Sequence, residues 1–544
     1  MKKSFRLLSI VLVVILLMSL TSCYEDNGMD ISIKDRLSTY KDQNYDIILV
    51  CGESNAQGRG IGSSQYDYVP EEEVQYLNED LTISIADEFY LDGLRRNAFY
   101  LSFAQRYLEH GLLGGDRKLL IVNTATAGAG FCNDKWLPDA ELFDYSMELI
   151  KTLLVINDSN RMVGVLWHQG EIDTVWRTSQ SQYEQYLSTL ISEIRRELSM
   201  PTLAFICGDM CPQWKALFPH SSAIALAQQG LATEGSMIGF VQTDGLYSND
   251  GVSDQVHFSK ESNVELGHRY FDEFVRVLRT YPTVDSSVAQ ALQSYKEQEY
   301  DIILVCGQSN AVGRGIGPAE FDYIVDSRIV SLGNNYVIST ATEVEVGGFS
   351  CNSFSHFFAK LYANNDLESG RKLLIINTAV SETGFSDNRW CAGCDLYEST
   401  ISKVKAVLGL NPHNRLVAVL WHQGERDITR DVNRWVYFWR FDNMLKWMRL
   451  SLNAVEVPFI AGDFSTAWKQ NYVASSAIVQ AIKDVVSNNS HCGFVTTREE
   501  VKVGDTITVV QVAVNEGDVM HFSKEGNKLL GQKYYSVYRG ILAS

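Results

Sequence analysis

Apolar and polar positions along the chain fall into two kinds of stretch that take turns. Short unbroken apolar runs, rich in Val, Ile and Leu, occupy 47–51, 119–123, 162–167, 203–207 and 240–242 in the first half. In the second half they occupy 302–306, 373–377, 416–421, 459–461 and 494–496. Runs that do not alternate with polar residues predict strands covered on both faces. Between them lie stretches of helical period, such as 183–198 and 437–452, and a further helix closes each half from near Ser259 and Ser523. Strand and helix in turn predict an α/β fold of three layers, helices on both sides of a mainly parallel sheet. Ligands in such folds bind beyond the carboxyl ends of the strands.

The two halves are copies. Residues 44–62 and 299–317 differ only at Asn44/Glu299, Glu53/Gln308 and Gln57/Val312, and LSTYKDQNYDIILV at 37–50 returns as LQSYKEQEYDIILV at 292–305. A chain of 544 residues exceeds one core, and the repeat divides it into domains at 37–280 and 291–544. Residues 281–290, with Pro282 in a short polar stretch, suit a linker. Hydrophobic residues make up 45% and charged residues 21%, which fits folded globular protein rather than disorder or a fibre. The net charge of −19 argues against nucleic acid or an anionic membrane surface as a partner and makes a neutral substrate the expectation.

Ahead of the first domain, Lys2, Lys3 and Arg6 precede an apolar run at 7–20 that is short for a bilayer span and has the layout of a secretory signal. It ends in Leu20-Thr21-Ser22-Cys23, which resembles the lipobox of bacterial lipoproteins. That resemblance implies a signal peptide at 1–22, cleavage before Cys23 with lipid attached there, and a tether at 23–36. The expected location is then a bacterial membrane-anchored lipoprotein, periplasmic or at the cell surface, held by its N-terminal lipid. Nine cysteines follow Cys23, an odd number, so at least one is unpaired or pairs between chains. Cys51 and Cys306 end equivalent strands and read as buried thiols. Cys391 and Cys394 form either a local disulfide or two free thiols, because structural zinc needs four ligands and no second such pair accompanies them.

Three strings carry chemistry, each present twice. Gly52-Glu53-Ser54-Asn55-Ala56 and Gly307-Gln308-Ser309-Asn310-Ala311 place a serine just past the first strand, where a strand-to-helix turn lifts a side chain out of the sheet as a nucleophile. Trp167-His168-Gln169-Gly170-Glu171 and Trp421-His422-Gln423-Gly424-Glu425 end the third strand on the same rim. There the Gln169 and Gln423 amides are suited to donate to a developing oxyanion, and the Glu171 and Glu425 carboxylates to orient or polarise neighbours. Asp254-Gln255-Val256-His257-Phe258 and Asp518-Val519-Met520-His521-Phe522 precede the closing helix. A histidine three residues after an aspartate is reached by it within one turn, as a general base with its orienting acid must be.

Together the GESNA/GQSNA turn, the WHQGE string and the DxxHF motif resemble the SGNH-hydrolase superfamily, specifically the sialate O-acetylesterase-like carbohydrate esterases. The resemblance covers nearly the whole chain after Cys23 as two copies and implies two consecutive flavodoxin-like domains. It implies that Ser54 and Ser309 are nucleophiles, His257 and His521 bases, and Asp254 and Asp518 their orienters. It also implies an oxyanion hole made by the serine N–H, the Gly128 N–H and the amide of Gln169 or Gln423. The implied activity is acetyl-ester hydrolysis on an acetylated carbohydrate, such as sialic acid or xylan, through an acetyl-enzyme, with no metal and no organic cofactor. The alternative is a surface carbohydrate-binding lipoprotein with one or both sites degenerate.

The copies depart from the pattern at several points. Glu382 stands where the second copy needs the oxyanion glycine, and a carboxylate aimed inward there opposes an oxyanion. Glu53 replaces the usual glutamine in the first copy. The second copy carries about ten more residues between Thr497 and Asp518, rich in Val, Ile and Thr, which suit a β-hairpin. Arg59 and Arg314 either contact substrate or brace the turn. Asp209 and Asp463 are alternative orienters. Trp136, Trp390, Trp214 and Trp468 either stack on sugar or fill the core.

Overall fold

The computed structural model describes residues 32–113, 116–157, 159–249, 254–282, 284, 286–503 and 506–543. The expected signal peptide, Cys23 and most of the tether lie outside these residues. The chain forms two compact units, Met1–Tyr281 and Pro282–Ser544.

The sheet of the first unit has seven strands in the order Ile83–Ile85, Val74–Leu77, Lys118–Asn123, Tyr45–Gly52, Arg161–His168, Ala204–Gly208, Ile238–Val241. All neighbours are parallel except Ile83–Ile85, which runs antiparallel to Val74–Leu77. The second unit repeats it as Ile338–Thr340, Ile329–Leu332, Lys372–Asn377, Tyr300–Gly307, Arg415–His422, Phe459–Gly462, Cys492–Val495. Taken alone, the five strands marked by the apolar runs have the order second, first, third, fourth, fifth. That is the flavodoxin-like order, and its switch point lies at the first strand.

Every residue of Tyr45–Gly52 and of Tyr300–Gly307 is buried. Successive side chains of a strand face opposite sides, so the run serves two cores. In the second unit Ile302 and Leu304 pack with Trp421 and Phe441, while Ile303 and Val305 pack with Phe354 and Tyr534. At the amino end of the strand, away from the site, buried Asp46 is bound by Arg117, Arg161 and Tyr107, and Asp301 by Arg371, Arg415 and Tyr362.

The expected helices appear as Gln180–Glu197, opened by a Ser179/Gln182 capping box, and Arg434–Leu452. Lys260–Thr280 and Lys524–Ala543 close the units, the first capped by Ser259. The additional segment of the second unit is a hairpin, Arg498–Val503 against Thr506–Gln511, followed by Val514–Asn515 paired with Asp518–Phe522.

Candidate active site

The central strand ends against its neighbour. Gly52 has φ +131°, and a Cβ there would lie 2.0 Å from the His168 carbonyl oxygen, so only glycine fits. The Glu53 N–H donates to that same carbonyl at 3.0 Å, and the chain turns at once into the short helix Ser54–Gln57. As the first helical residue, Ser54 has an N–H with no intrahelical acceptor. Gly307 has φ +126° and meets His422 in the same way.

Ser54 Oγ lies 2.9 Å from His257 Nε2, and His257 Nδ1 lies 2.9 Å from Asp254 Oδ2. In the second unit the same distances are 2.8 Å, from Ser309 Oγ to His521 Nε2, and 2.6 Å, from His521 Nδ1 to Asp518 Oδ2. A ring whose Nδ1 faces a carboxylate presents Nε2 as the acceptor for the hydroxyl proton. Asp254 is tied down further: its Oδ1 accepts the Val256 and His257 N–H groups at 3.1 Å each, and its Oδ2 accepts Asn249 Nδ2 at 3.0 Å. Burial pushes the Asp254 carboxyl up, but the His257 ring and these donors outweigh it and hold it at about 2. Asp518 is lowered by the same balance, burial opposed by His521.

Asn55, next to the serine, joins the three strings. Its Nδ2 donates to Glu171 Oε1 at 2.7 Å and to the Val256 carbonyl at 3.1 Å, and its Oδ1 accepts the Phe258 N–H at 3.2 Å. Asn310 does the same with Glu425 at 2.8 Å, Met520 at 3.2 Å and Phe522 at 3.3 Å. Glu171 and Glu425 are buried; they orient the asparagine and are closed off from a substrate. Asn249 and Asn515 fix the other side, each accepting an N–H, from Ile61 and Ile316, and donating to the carbonyl of Arg59 and Arg314. The sequence reading passed over all four asparagines. Their retention in both copies was the available signal.

Gln169 and Gln423 do not serve the oxyanion, which corrects the expectation. Both are fully buried. Gln169 Nε2 donates to Asp173 at 2.8 Å and to Glu53 at 3.1 Å, and its Oε1 accepts from Tyr183 at 2.8 Å. Gln423 Nε2 donates to Asp427 at 2.6 Å and to the Thr383 carbonyl at 3.3 Å. An amide with both hydrogens engaged has none left for a substrate. Gly128 lies in a loop stitched to the Ser54 turn, where the Gly52 carbonyl accepts the Thr126 N–H and Trp136 Nε1, each at 3.2 Å. Among the described residues neither the Ser54 nor the Gly128 N–H has a hydrogen-bond acceptor.

Gly128 has φ +68° and Glu382 φ +62°, so the second unit adopts the same left-handed turn without a glycine. The Glu382 side chain is exposed, not turned into the core. Glu53 occupies the place of Gln308: its Oε1 accepts the Gly170 and Ile172 N–H groups at 3.2 and 3.1 Å, as Gln308 Oε1 accepts the Arg426 N–H at 3.1 Å. Burial and then neighbouring Glu171 push the Glu53 carboxyl well up. Burial pushes Glu425 up to about 7.

Asp209 is bound by Lys215 and Asp463 by Lys469, and neither pairs with His257 or His521. The four tryptophans are core residues, each no more than 3% exposed. Arg59 donates to Gln57 at 2.6 Å and Arg314 to Ser381 at 2.8 Å.

Residues 44–276 and 299–539 each match the family described as carbohydrate esterase, sialic acid-specific acetylesterase. A probable 9-O-acetyl-N-acetylneuraminic acid deacetylase from Escherichia coli is 32% identical over 112 residues, 18% of this chain and 34% of that protein. The match thus spans about a third of the relative's length. Among solved structures, the one titled as NanS aligns at 18% identity and a TM-score of 0.38, covering 44% of this chain and 98% of its own. A carbohydrate acetylesterase from Xanthomonas citri aligns at 16% identity and a TM-score of 0.33, covering 44% of this chain and 56% of its own.

Proposed function

The chain belongs, in both of its units, to the carbohydrate esterase family of sialic acid-specific acetylesterases, and from that premise we propose that each unit hydrolyses O-acetyl esters of a carbohydrate. The observation that carries this reading is the unbroken relay from Ser54 to His257 to Asp254, repeated from Ser309 to His521 to Asp518.

Ser54 Oγ attacks the acetyl carbonyl as its proton passes to His257 Nε2, and Asp254 stabilises the imidazolium through Nδ1. The tetrahedral oxyanion is met by the Ser54 and Gly128 N–H groups. His257 then gives the proton to the departing sugar hydroxyl, leaving acetyl-Ser54. Water, deprotonated by the same ring, releases acetate and restores the serine. Ser309, His521 and Asp518 repeat the cycle with the Ser309 and Glu382 N–H groups.

Acetate release from a panel of acetylated sialic acids and xylans tests this. Ser54→Ala and Ser309→Ala each lower the rate and only the double variant abolishes it. Full activity in the double variant overturns the reading.

The expected lipid at Cys23 extends the proposal: the enzyme works tethered to a bacterial membrane. The support is the sequence at 1–23 alone, and no helix among the described residues is long and apolar enough to cross a membrane. Incorporation of labelled palmitate, lost in Cys23→Ala, checks it.

A further inference from the structure

The loop that carries the Glu382 N–H differs from its first-unit counterpart where it leads into the next helix. Trp136-Leu137-Pro138-Asp139-Ala140 becomes Trp390-Cys391-Ala392-Gly393-Cys394. Both segments make the same turn. The Ala140 N–H donates to the Leu137 carbonyl at 3.0 Å and the Cys394 N–H to the Cys391 carbonyl at 2.9 Å, with φ +65° at Asp139 and +83° at Gly393. The ends of such a turn lie within about 7 Å of each other at Cα, which is disulfide reach without a large backbone movement. The two thiols share a hydrogen bond, and both residues are unbridged and half-buried.

The two sulfurs are unlike. Cys394 caps the 14-residue helix Asp395–Leu408, whose first N–H groups favour a thiolate. The hydrogen bond from Cys391 draws the Cys394 thiol down, against burial and the charges of Asp395 and Glu398. That same bond and then burial push the Cys391 thiol up, with Asp427 adding to the rise and Arg440 opposing it.

Cys391 is also tied to the Glu382 loop. Neighbouring Trp390 donates from Nε1 to Thr383 Oγ1 at 3.0 Å, whereas Trp136 reaches the Gly52 carbonyl. Asp427 and Arg440, the charges beside Cys391, hold the loop backbone. Asp427 accepts the Phe385 and Ser386 N–H groups at 3.1 and 2.7 Å, and Arg440 Nη1 donates to the Phe385 carbonyl at 2.5 Å. Arg440 stands where the first unit has Tyr186. Three differences between the copies, at Cys391, Cys394 and Arg440, thus fall together on one loop of one unit.

We infer that Cys391 and Cys394 form a redox site that exchanges with disulfide-bearing molecules, and that its closure tightens the loop carrying the Glu382 N–H. The second unit then responds to redox conditions and the first does not. A local disulfide and two free thiols are two states of this one site. The Cys394 thiolate attacks a disulfide RSSR, forming a mixed disulfide as one RS⁻ leaves and takes up a proton. Cys391 gives its proton to water and attacks Cys394 Sγ, expelling the second RS⁻, which is protonated in turn. Both protein thiols are oxidised and RSSR is reduced to two thiols.

The first test equilibrates the full chain in glutathione buffers of rising disulfide content, followed by alkylation and peptide mass spectrometry. Cys391 and Cys394 lose their two thiol hydrogens together and regain them in reduced glutathione, while Cys51 and Cys306 stay thiols. Cys391→Ser traps Cys394 as its glutathione adduct, and Cys394→Ser leaves Cys391 unmodified. A pair that stays reduced in excess glutathione disulfide, a bridge that reduced glutathione does not reopen, or an adduct trapped on Cys391 instead of Cys394 overturns the redox site.

The second test follows amide hydrogen exchange across residues 380–390. Exchange is slower in the oxidised chain by about threefold or more, and Cys391→Leu/Cys394→Ala, which carries the residues of the first unit, removes the difference. Exchange unmoved by oxidation overturns the tightening whether or not any ester turns over. The consequence for rate rests on the esterase reading. Oxidation raises kcat of the Ser54→Ala chain, which reports the second site, by about threefold or more, a fraction of what one oxyanion donor contributes, and leaves the Ser309→Ala chain unmoved. Ester turnover that is equal in both redox states of the Ser54→Ala chain overturns control of the second site and leaves the esterase reading intact.

Discussion

Asn55 Nδ2 donates to Glu171 Oε1 at 2.7 Å. Through this bond and its contacts with Val256 and Phe258, the residue beside the nucleophile carries both the end of the third strand and the histidine loop. Asn55→Ala strips buried partners from all three and is expected to cost about 2–4 kcal/mol of stability. Loss of alignment between Ser54 and His257 lowers kcat of the Ser309→Ala chain about a hundredfold. Calorimetry and initial rates check the two effects separately.

Gly52→Ala drives a methyl carbon into the His168 carbonyl at a φ that alanine rarely adopts. The expected cost exceeds about 3 kcal/mol, with loss of first-site activity and retention of second-site activity. Thermal unfolding and the rate remaining in Gly52→Ala/Ser309→Ala measure both.

The shifted carboxyls set a pH signature with two limbs. Glu425, raised by burial to about 7, contributes stability that is complete below the ordinary glutamate range and lost as pH rises through about 7. The loss is on the order of 3 kcal/mol. Glu53, raised by burial and Glu171, acts with the same sign. Asp254, lowered to about 2, contributes stability present above the ordinary carboxylate range and lost as pH falls towards about 2. Glu425→Gln and Glu53→Gln therefore raise the melting temperature relative to the parent on the alkaline side. A difference that does not grow with pH contradicts this.

Glu382 reproduces the backbone of Gly128 with its side chain exposed, so its charge acts on the oxyanion only through solvent. Glu382→Gln in the Ser54→Ala chain is expected to raise kcat by less than about tenfold. Steady-state rates at low and high salt show the gain shrinking as salt increases.

Much of this was legible in the sequence because duplication acted as an internal control. The five buried strands announced themselves as unbroken Val/Ile/Leu runs, and the Ser, His and Asp strings fell at their carboxyl ends. Val74–Leu77 and Ile83–Ile85 did not, being short strands at the sheet edge with mixed burial and no apolar run to mark them. Gln169 was misread for a different reason. A side-chain amide on the rim is suited to an oxyanion, and only the folded position of Asp173, Glu53 and Tyr183 shows that its hydrogens are already committed. The same holds for Asn55 and Asn249, whose partners lie up to about two hundred residues away in sequence.

The central claim is that Ser54 and Ser309 are activated by their histidines. A fluorophosphonate probe followed by peptide mass spectrometry tests it most directly. The account predicts adducts on Ser54 and Ser309, with that on Ser54 lost in His257→Ala and that on Ser309 lost in His521→Ala. An unlabelled chain, or labelling that survives both histidine substitutions, would contradict it.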